Sequence, residues 1–341
     1  MKALAVFVVL SLTFVVFPQT NCLIEGTQIR QFSLKTKTDT INFILPNGII
    51  DTIKPVLIFC QGSLPIPLII ELSNGQKIIA PLNNFDYKKI SKDYHLVVIS
   101  PPKIPVIAGL KNLNKQYCYV PDTAKQNTYS ESYLSSYYLE NYTARAKKVI
   151  AYLYKQKWVD KKRIYILGHS QGSKVAIEAS INNKKVSKVG YLSGNPMGRI
   201  DQLTREQREL CKSGKISIEE SQKEIQRIYK MWENISSNPN SNSTEYGDPN
   251  RAWTSFSKPM LDKMLELKQP LFVGYGTADI TAAFCDLLPI YFMGSGKKNL
   301  THKPYLGLEH NFFEVDVEGR TDYNKSHWQD VLDDFISWAK N

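Results

Sequence analysis

A Gly-x-Ser-x-Gly pattern at Gly168–Gly172 limits the fold of this chain more than any other feature of the sequence. Residues 164–167 before it form a continuous apolar run, as expected for a strand that is buried on both faces. Residues 174–179 after it have good helix propensity. A serine on a tight turn between a strand and a helix is exposed above the sheet. The segment therefore predicts Ser170 as a nucleophile at the edge of a sheet.

Short apolar runs alternate with helical patterns along the rest of the chain. Apolar residues recur at spacings of three and four over 138–153 and 328–336, which predicts two helices. Ser326 is the expected N-cap of the second. Strands are predicted at 27–34, 40–45, 56–59, 96–99, 164–167 and 271–273, and less clearly at 186–192. This alternation predicts an α/β fold, a mostly parallel sheet flanked by helices on both faces.

Residues 195–268 interrupt the alternation. They contain no convincing buried strand, and 203–232 are rich in Arg, Lys and Glu with good helix propensity. Residues 234–250 are dominated by Asn, Ser, Pro and Gly, which indicates an exposed loop. The region is predicted to be a helical cap inserted into a single domain that covers 22–341.

The serine needs a base, because an alcohol is a weak nucleophile at neutral pH. The chain has five histidines, and His169 belongs to the serine turn itself. His310 follows the apolar stretch 305–308 and lies in a loop before the terminal helix. The sequence therefore predicts His310 as the base for Ser170.

A catalytic histidine needs a carboxylate that fixes its tautomer and stabilises the imidazolium. The predicted strand at 271–273 runs into a glycine-containing loop that ends in Asp279. Asp286 is the alternative, although it is expected to lie within the following helix. The predicted order along the chain is Ser170, Asp279, His310.

With these residues in this order, the chain resembles the α/β-hydrolase superfamily. The resemblance covers residues 27–341 and is most specific at 163–177 and 271–312. It implies the α/β-hydrolase fold, with the acid after a late strand and the histidine after the last strand. It also implies a helical cap between two late strands, where residues 195–268 fall.

An oxyanion hole is expected to use two backbone N–H groups. One is that of Gln171, the residue after the nucleophile. The other is expected from the loop after the strand at 56–59, from Ser63 or alternatively from Leu64. Many members of the superfamily have His-Gly in this loop, whereas this chain has Gln61-Gly62. The departure leaves a backbone donor in place.

The first hypothesis for function is a serine hydrolase that cleaves carboxylic esters of small molecules or polymers, with no metal or organic cofactor. The alternative is a small capped aminopeptidase on the same fold. It would need carboxylates to hold a substrate amine, and the candidates in the insertion are Glu206, Glu209, Glu219, Glu220 and Glu224. A third hypothesis is a catalytically inactive binding module, since fold alone does not settle function.

The N-terminus predicts an exported protein. Lys2 precedes an apolar run over 3–17, the pattern of a secretory signal peptide, here placed at 1–21. The next residue, Cys22, leaves a second interpretation open, that of an envelope lipoprotein anchored through its lipid. A secreted or periplasmic protein is the other outcome.

Export permits disulfides. If Cys22 is lipidated, three full pairings stay open among Cys60, Cys118, Cys211 and Cys285. Cys60 ends an apolar run, so a buried free thiol is the default there. No Cys-x-x-Cys or His-x-x-x-His spacing indicates a zinc site. The formal charge is +11, but the longest basic cluster is only Lys161–Arg163, and no nucleic-acid partner is predicted.

Overall fold

The computed structural model describes residues 19–122, 124–125 and 128–341. The strands in these residues are β1 (Gln19–Leu23), β2 (Arg30–Lys35), β3 (Thr40–Leu45), β4 (Lys54–Cys60), β5 (Ile69–Glu71), β6 (Lys77–Ile79), β7 (His95–Ile99), β8 (Ile107–Gly109), β9 (Val159–His169), β10 (Lys188–Leu192), β11 (Leu271–Gly276), β12 (Leu300–Tyr305), β13 (Phe313–Val315) and β14 (Thr321–Ser326).

The α-helices of the same residues are α1 (Tyr87–Asp93), α2 (Glu131–Leu134), α3 (Leu139–Leu153), α4 (Gln171–Ser180), α5 (Arg199–Lys212), α6 (Ile218–Ser237), α7 (Asn250–Phe256), α8 (Leu261–Glu266), α9 (Ala282–Cys285), α10 (Leu288–Gly294) and α11 (Trp328–Lys340). Two short 3₁₀ helices lie at Ala80–Leu82 and Leu110–Asn112.

The main sheet has nine strands in the described chain, in the order β1-β2-β3-β7-β4-β9-β10-β11-β12. Strands β1, β2 and β3 are antiparallel at one edge, and the strands from β7 to β12 in that order run parallel. The central strand β4 is buried along six of its seven residues because helices cover both of its faces. The predicted mostly parallel sheet is confirmed.

Helices cover the two faces of this sheet with separate hydrophobic clusters. On one face α3 and α4 pack on the sheet through residues such as Val149 and Ala176, and α8 and α10 extend the cluster. On the other face α1 and α11 pack through residues such as Ile90 and Phe335. The apolar stripe predicted at 328–336 thus faces the core. The helix begins one residue later than expected, since His327 is its N-cap and Ser326 ends β14.

Helices α5 to α8 form the insertion between β10 and β11. Helix α5 packs against α6, and α7 packs against both α6 and α3. A capping box at Ser217 and Glu220 starts α6, which satisfies backbone donors at its N-terminus. The insertion is helical where helices were expected, while its role as a cap stays a prediction.

The predicted signal peptide lies mostly outside the described residues, which begin at Gln19. Gln19, Thr20 and Asn21, which the sequence places at the end of that signal, pair with β2 as part of β1. No helix in the described part of the chain is long and apolar enough to cross a membrane.

All five cysteines are free thiols. Cys60, Cys118 and Cys285 are buried, and Cys22 is exposed on β1. Burial raises the pKa of the Cys60 thiol to about 12, so it stays protonated and unreactive at neutral pH.

Candidate active site

The turn that carries Ser170 joins β9 directly to α4. Ser170 has φ 54° and ψ −123°, a conformation that costs a non-glycine residue energy and is found mainly at functional sites. Its N–H donates to the carbonyl of Leu192 in β10, at 2.9 Å, which ties the strained turn to the sheet. The turn at Ser170 therefore has the strand–turn–helix geometry that the sequence context predicted.

Two glycines make this turn sterically feasible. A Cβ added to Gly168 would lie 2.1 Å from the carbonyl oxygen of Gly172. A Cβ added to Gly172 would lie 2.1 Å from the carbonyl oxygen of Cys60 in β4. Backbone atoms cannot move aside as a flexible side chain can, so both positions require glycine.

The structure brings Ser170, His310 and Asp279 together in one hydrogen-bonded line. Oγ of Ser170 lies 2.9 Å from Nε2 of His310, and Nδ1 of His310 lies 2.8 Å from Oδ2 of Asp279. The other oxygen of Asp279 accepts the N–H of Thr281 at 3.0 Å. The Asp279 side chain is 1% exposed, so it is shielded from water. These are the contacts that a nucleophile, a base and an orienting acid require.

The environment of His310 favours its protonated form. Burial by itself would lower the pKa of the imidazole, but the hydrogen bond and the negative charge of Asp279 outweigh it, with a further contribution from Glu309. The pKa of His310 is therefore raised above its usual value of 6.5. A raised pKa makes the ring a stronger base toward the serine hydroxyl.

His169 contacts the backbone of His310 and makes no hydrogen bond to Ser170 in the described chain. Its Nε2 lies 2.9 Å from the backbone carbonyl of His310, and its ring packs edge-on against Trp328 at 4.7 Å between centroids. Burial, and then the nearby His310, lower the pKa of His169 to about 3. The ring is neutral at neutral pH, and its Nε2–H donates to that carbonyl.

Asp286, the alternative acid, has a different partner. It lies at the C-terminal end of α9 and accepts a hydrogen bond from the hydroxyl of Tyr275. The same hydroxyl lies 3.0 Å from Nε2 of His302. Of the two candidate acids, only Asp279 is hydrogen-bonded to His310.

The predicted oxyanion donors lie beside Ser170. Gln171 is the first residue of α4, where a backbone N–H has no acceptor within the helix. Its side chain is fixed by the hydroxyl of Tyr137, which donates to Oε1 of Gln171 at 2.8 Å. Ser63 borders both cavities in front of Ser170, whereas Leu64 borders only one of them.

Two cavities open onto Ser170 and His310. The first, here named the polar cavity, has a volume of about 220 Å³, and its lining includes Ser193, Asn195, Gln202, Phe256, Lys174 and Arg199. The second, the apolar cavity, measures about 420 Å³ and includes Leu64, Ile66, Ala80, Pro81, Phe59 and Trp328. Among the described residues, no aspartate or glutamate lines either cavity. The site thus offers one polar, cationic side and one mainly apolar side.

Sequence reasoning missed Lys174, Arg199 and Tyr137. Lys174 is only 4% exposed, and its Nζ donates to the carbonyls of Phe256 at 2.6 Å and Lys258 at 3.1 Å. Burial, and then the charge of Arg199, lower its pKa to about 7. The only signal for Lys174 in the sequence was its place in a helical run, 174–179, whose one other charged residue is Glu178.

No cluster of three or more histidine, cysteine, aspartate or glutamate side chains in the described residues has the arrangement of a metal site.

No protein-family model and no curated protein matches the sequence. Several solved structures resemble it. Acetyl xylan esterase 1 from Thermoanaerobacterium sp. JW/SL YS485 aligns with a TM-score of 0.51 at 9% identity, over 95% of this chain and 88% of the esterase. A protein assigned as a dienelactone hydrolase from Klebsiella pneumoniae aligns with a TM-score of 0.50 at 10% identity, over 92% of this chain and 99% of the hydrolase.

A protein assigned as a dipeptidyl aminopeptidase IV from Bacteroides ovatus also aligns with a TM-score of 0.50, at 13% identity over 92% of this chain. The present chain spans about a third of the length of that protein, 36%. At such identities the likeness concerns the fold. The chain has the α/β-hydrolase fold, as the sequence resemblance predicted.

Proposed function

We propose that this protein is a serine hydrolase that cleaves carboxylic esters through an acyl-enzyme intermediate. The observation that carries the proposal is the hydrogen-bonded line from Ser170 through His310 to the buried Asp279. A strained serine at a helix N-terminus, facing two open cavities, adds to it. That the solved structures with this fold include an esterase is consistent with the proposal.

In the first half of the reaction, Oγ of Ser170 attacks the ester carbonyl while Nε2 of His310 takes the hydroxyl proton. Asp279 holds the proton on Nδ1 and stabilises the imidazolium that forms. The negative charge on the carbonyl oxygen is stabilised by the N–H groups of Gln171 and Ser63. His310 then gives its proton to the leaving alcohol, and the acyl group remains on Ser170.

The second half repeats these steps with water. His310 takes a proton from a water molecule, which attacks the acyl carbonyl. The tetrahedral intermediate collapses, the proton on His310 returns to Ser170, and a carboxylic acid leaves. In total, one ester and one water are converted into one carboxylic acid and one alcohol, with no redox step.

The aminopeptidase alternative receives less support from the structure. An enzyme of that kind holds the charged amine of its substrate with carboxylates, yet no carboxylate lines either cavity in the described chain. Glu206 and Glu209 border a different groove, which includes Asp279 but not Ser170. Of the others, Glu219 and Glu220 lie in the first turn of α6, where Glu220 caps the helix, and Glu224 pairs with Arg227.

The test combines active-site labelling with substrate comparison. The purified protein would be treated with a fluorophosphonate, and the adduct located by mass spectrometry. Turnover of nitrophenyl esters from acetate to octanoate would be measured beside aminoacyl-anilides. We expect an adduct on Ser170 and ester turnover. Anilide turnover with weak ester activity would instead support the peptidase, and no adduct on a folded protein would support the binding module.

Export and a lipid on Cys22 are proposals that rest on the sequence alone. Mass spectrometry of the protein recovered from the producing cell would test both, because a cleaved signal shortens the chain and a diacylglyceryl group adds mass at Cys22. A mature N-terminus upstream of Gln19 would contradict the predicted cleavage and would leave β1 intact.

A further inference from the structure

The polar cavity has an uneven balance of charge. Two basic side chains, Lys174 and Arg199, line it together with polar groups. No carboxylate of the described chain lines it, and Asp248, which pairs with Arg199 at 2.6 Å, lies outside the lining. The cavity reaches both Ser170 and His310, so whatever fills it lies next to the scissile bond. Positive charge on the lining of a cavity favours a negatively charged occupant.

Lys174, whose pKa burial lowers to about 7, has no carboxylate partner in the described chain when it is protonated. Its two partners are backbone carbonyls, of Phe256 and Lys258, and no ion pair of Lys174 occurs among the described residues. An ammonium group has three N–H donors, so one donor remains after these two hydrogen bonds. A buried, unpaired cation is costly, and a bound anion would relieve that cost.

Arg199 is held in place by groups other than a substrate. Its Nη2 donates to Asp248 at 2.6 Å, and its guanidinium lies 3.8 Å from the ring centroid of Trp253. Nη1 of Arg199 is buried without a hydrogen-bond partner among the described residues. A pre-positioned guanidinium with spare donors is suited to bind a carboxylate, because its N–H groups form a planar fork.

We propose that the polar cavity is an anion subsite, and that the preferred ester carries a carboxylate on a short arm beside the scissile bond. This inference rests on the proposed function. The carboxylate contacts Lys174 and Arg199, while the other part of the ester occupies the apolar cavity. The cavity has a volume of about 220 Å³, which accommodates a short arm.

The experiment compares esters that differ only in one negative charge. One pair is nitrophenyl hydrogen glutarate and its methyl-capped neutral counterpart, which places the charge on the acyl side. The other pair is 4-acetoxybenzoate and its methyl ester, which places the charge on the alcohol side. After subtraction of the uncatalysed rate, we expect kcat/KM for the anion to exceed that of its neutral partner by about tenfold in one pair, as one charge-assisted hydrogen bond provides. No preference in either pair overturns the inference.

Three variants test whether the polar cavity is responsible for a preference for anionic esters. Arg199→Gln removes one charge from it, and Gln202→Glu adds a carboxylate to its lining at nearly the same size. Each is expected to lower the ratio of anionic to neutral kcat/KM about tenfold. Arg251→Gln is the matched control, because Arg251 stacks on Tyr138 at 3.5 Å and lines neither cavity. An equal loss in Arg251→Gln would show that overall charge, not this cavity, sets the preference.

The two proposals fail in different ways. If Ser170 takes no fluorophosphonate and no ester of either pair is hydrolysed, the proposed hydrolase function is wrong. If neutral esters are hydrolysed without a preference for the charged partners, the hydrolase function stands and the anion subsite is wrong.

Discussion

Oγ of Ser170 lies 2.9 Å from Nε2 of His310, although 140 positions separate the two residues in the chain. The parallel sheet explains how they meet. Strands β9, β10, β11 and β12 are neighbours in that order, and their carboxyl ends share one edge. Ser170 follows β9, Asp279 follows β11 and His310 follows β12. Ligand sites in open α/β sheets form outside the carboxyl ends of the strands, where the loops that follow neighbouring strands lie side by side.

Ser170→Ala is predicted to reduce ester turnover by about three to six orders of magnitude, because serine and histidine act as a unit. The fold should be retained, since a single hydroxyl contributes little packing. The measurements are kcat with a nitrophenyl ester and the midpoint of urea unfolding. Ser237→Ala, at the exposed end of α6, is the control and should match the wild type in both. Retained turnover in Ser170→Ala contradicts the assignment of the nucleophile.

Asp279→Asn is predicted to lower kcat by about 10³- to 10⁴-fold, because an amide at this position stabilises the wrong tautomer of His310. Asp286→Asn changes the same kind of group 7 positions further on, but weakens only the hydrogen bond from Tyr275. Asp286→Asn should lower the stability of the protein and leave most of kcat. Steady-state kinetics of the two variants show which aspartate orients His310. A large loss of kcat in Asp286→Asn but not in Asp279→Asn would assign that role to Asp286.

The acid limb of the pH–rate profile is predicted to lie above pH 6.5. Protonated His310 cannot accept the proton of Ser170, so kcat/KM falls as the pH drops below the pKa of His310. That pKa is raised because Asp279 outweighs the effect of burial. In Asp279→Asn the limb should move to lower pH, since the charge that raised the pKa is gone. A limb that stays in place in this variant would show that another group controls it.

The sheet could be predicted well from the sequence because its central strands are buried on both faces. Such strands read as continuous apolar runs, and β4, β7, β9 and β11 each contain one of the runs predicted. Ser170 and Asp279 were predicted from the ends of β9 and β11, and His310 from the apolar stretch at 305–308. Strand β12 was missed, because as an edge strand it is only half buried and includes Pro304.

The lining of the polar cavity could not be predicted, because it depends on how the insertion packs. Lys174 on α4 and Arg199 on α5 are 25 positions apart and meet only through tertiary structure. Nothing in the local sequence separates Arg199 from the other basic residues of the insertion. Tyr137 similarly looked like one of several tyrosines at helical spacing, and its hydrogen bond to Gln171 appears only in three dimensions.

Gly172→Ala is predicted to destabilise the protein severely, because the new methyl group would lie 2.1 Å from the backbone oxygen of Cys60. Relief requires β4 and α4 to separate, and overpacking of this kind costs about 1–3 kcal/mol or more. Gly294→Ala at the end of α10 is the matched control, since no atom lies within 4 Å of its added Cβ. Urea unfolding measures the stability of both variants. Equal stability of the two variants would contradict the close packing of the nucleophile turn.

His169 is predicted to make the protein less stable as the pH falls from about 6.5 to about 3. Burial lowers its pKa to about 3 in the folded protein, from a usual value of 6.5. Within this window the unfolded chain binds a proton that the folded protein does not, so acid favours unfolding. One such group changes the free energy of unfolding by about 1.4 kcal/mol per pH unit.

The comparison is the wild type against His169→Asn, in urea unfolding at pH 4.5, 5.5 and 6.5. The variant loses the packing of the ring on Trp328, so it should be less stable at pH 6.5. Its stability should nevertheless fall less steeply with acid, by about 1.4 kcal/mol per pH unit, because asparagine does not titrate. Other groups, including the buried His95, whose pKa is also lowered mainly by burial, contribute equally to both proteins. Parallel pH dependences would show that His169 takes up a proton in the folded state as readily as in the unfolded chain, which its burial against Trp328 opposes.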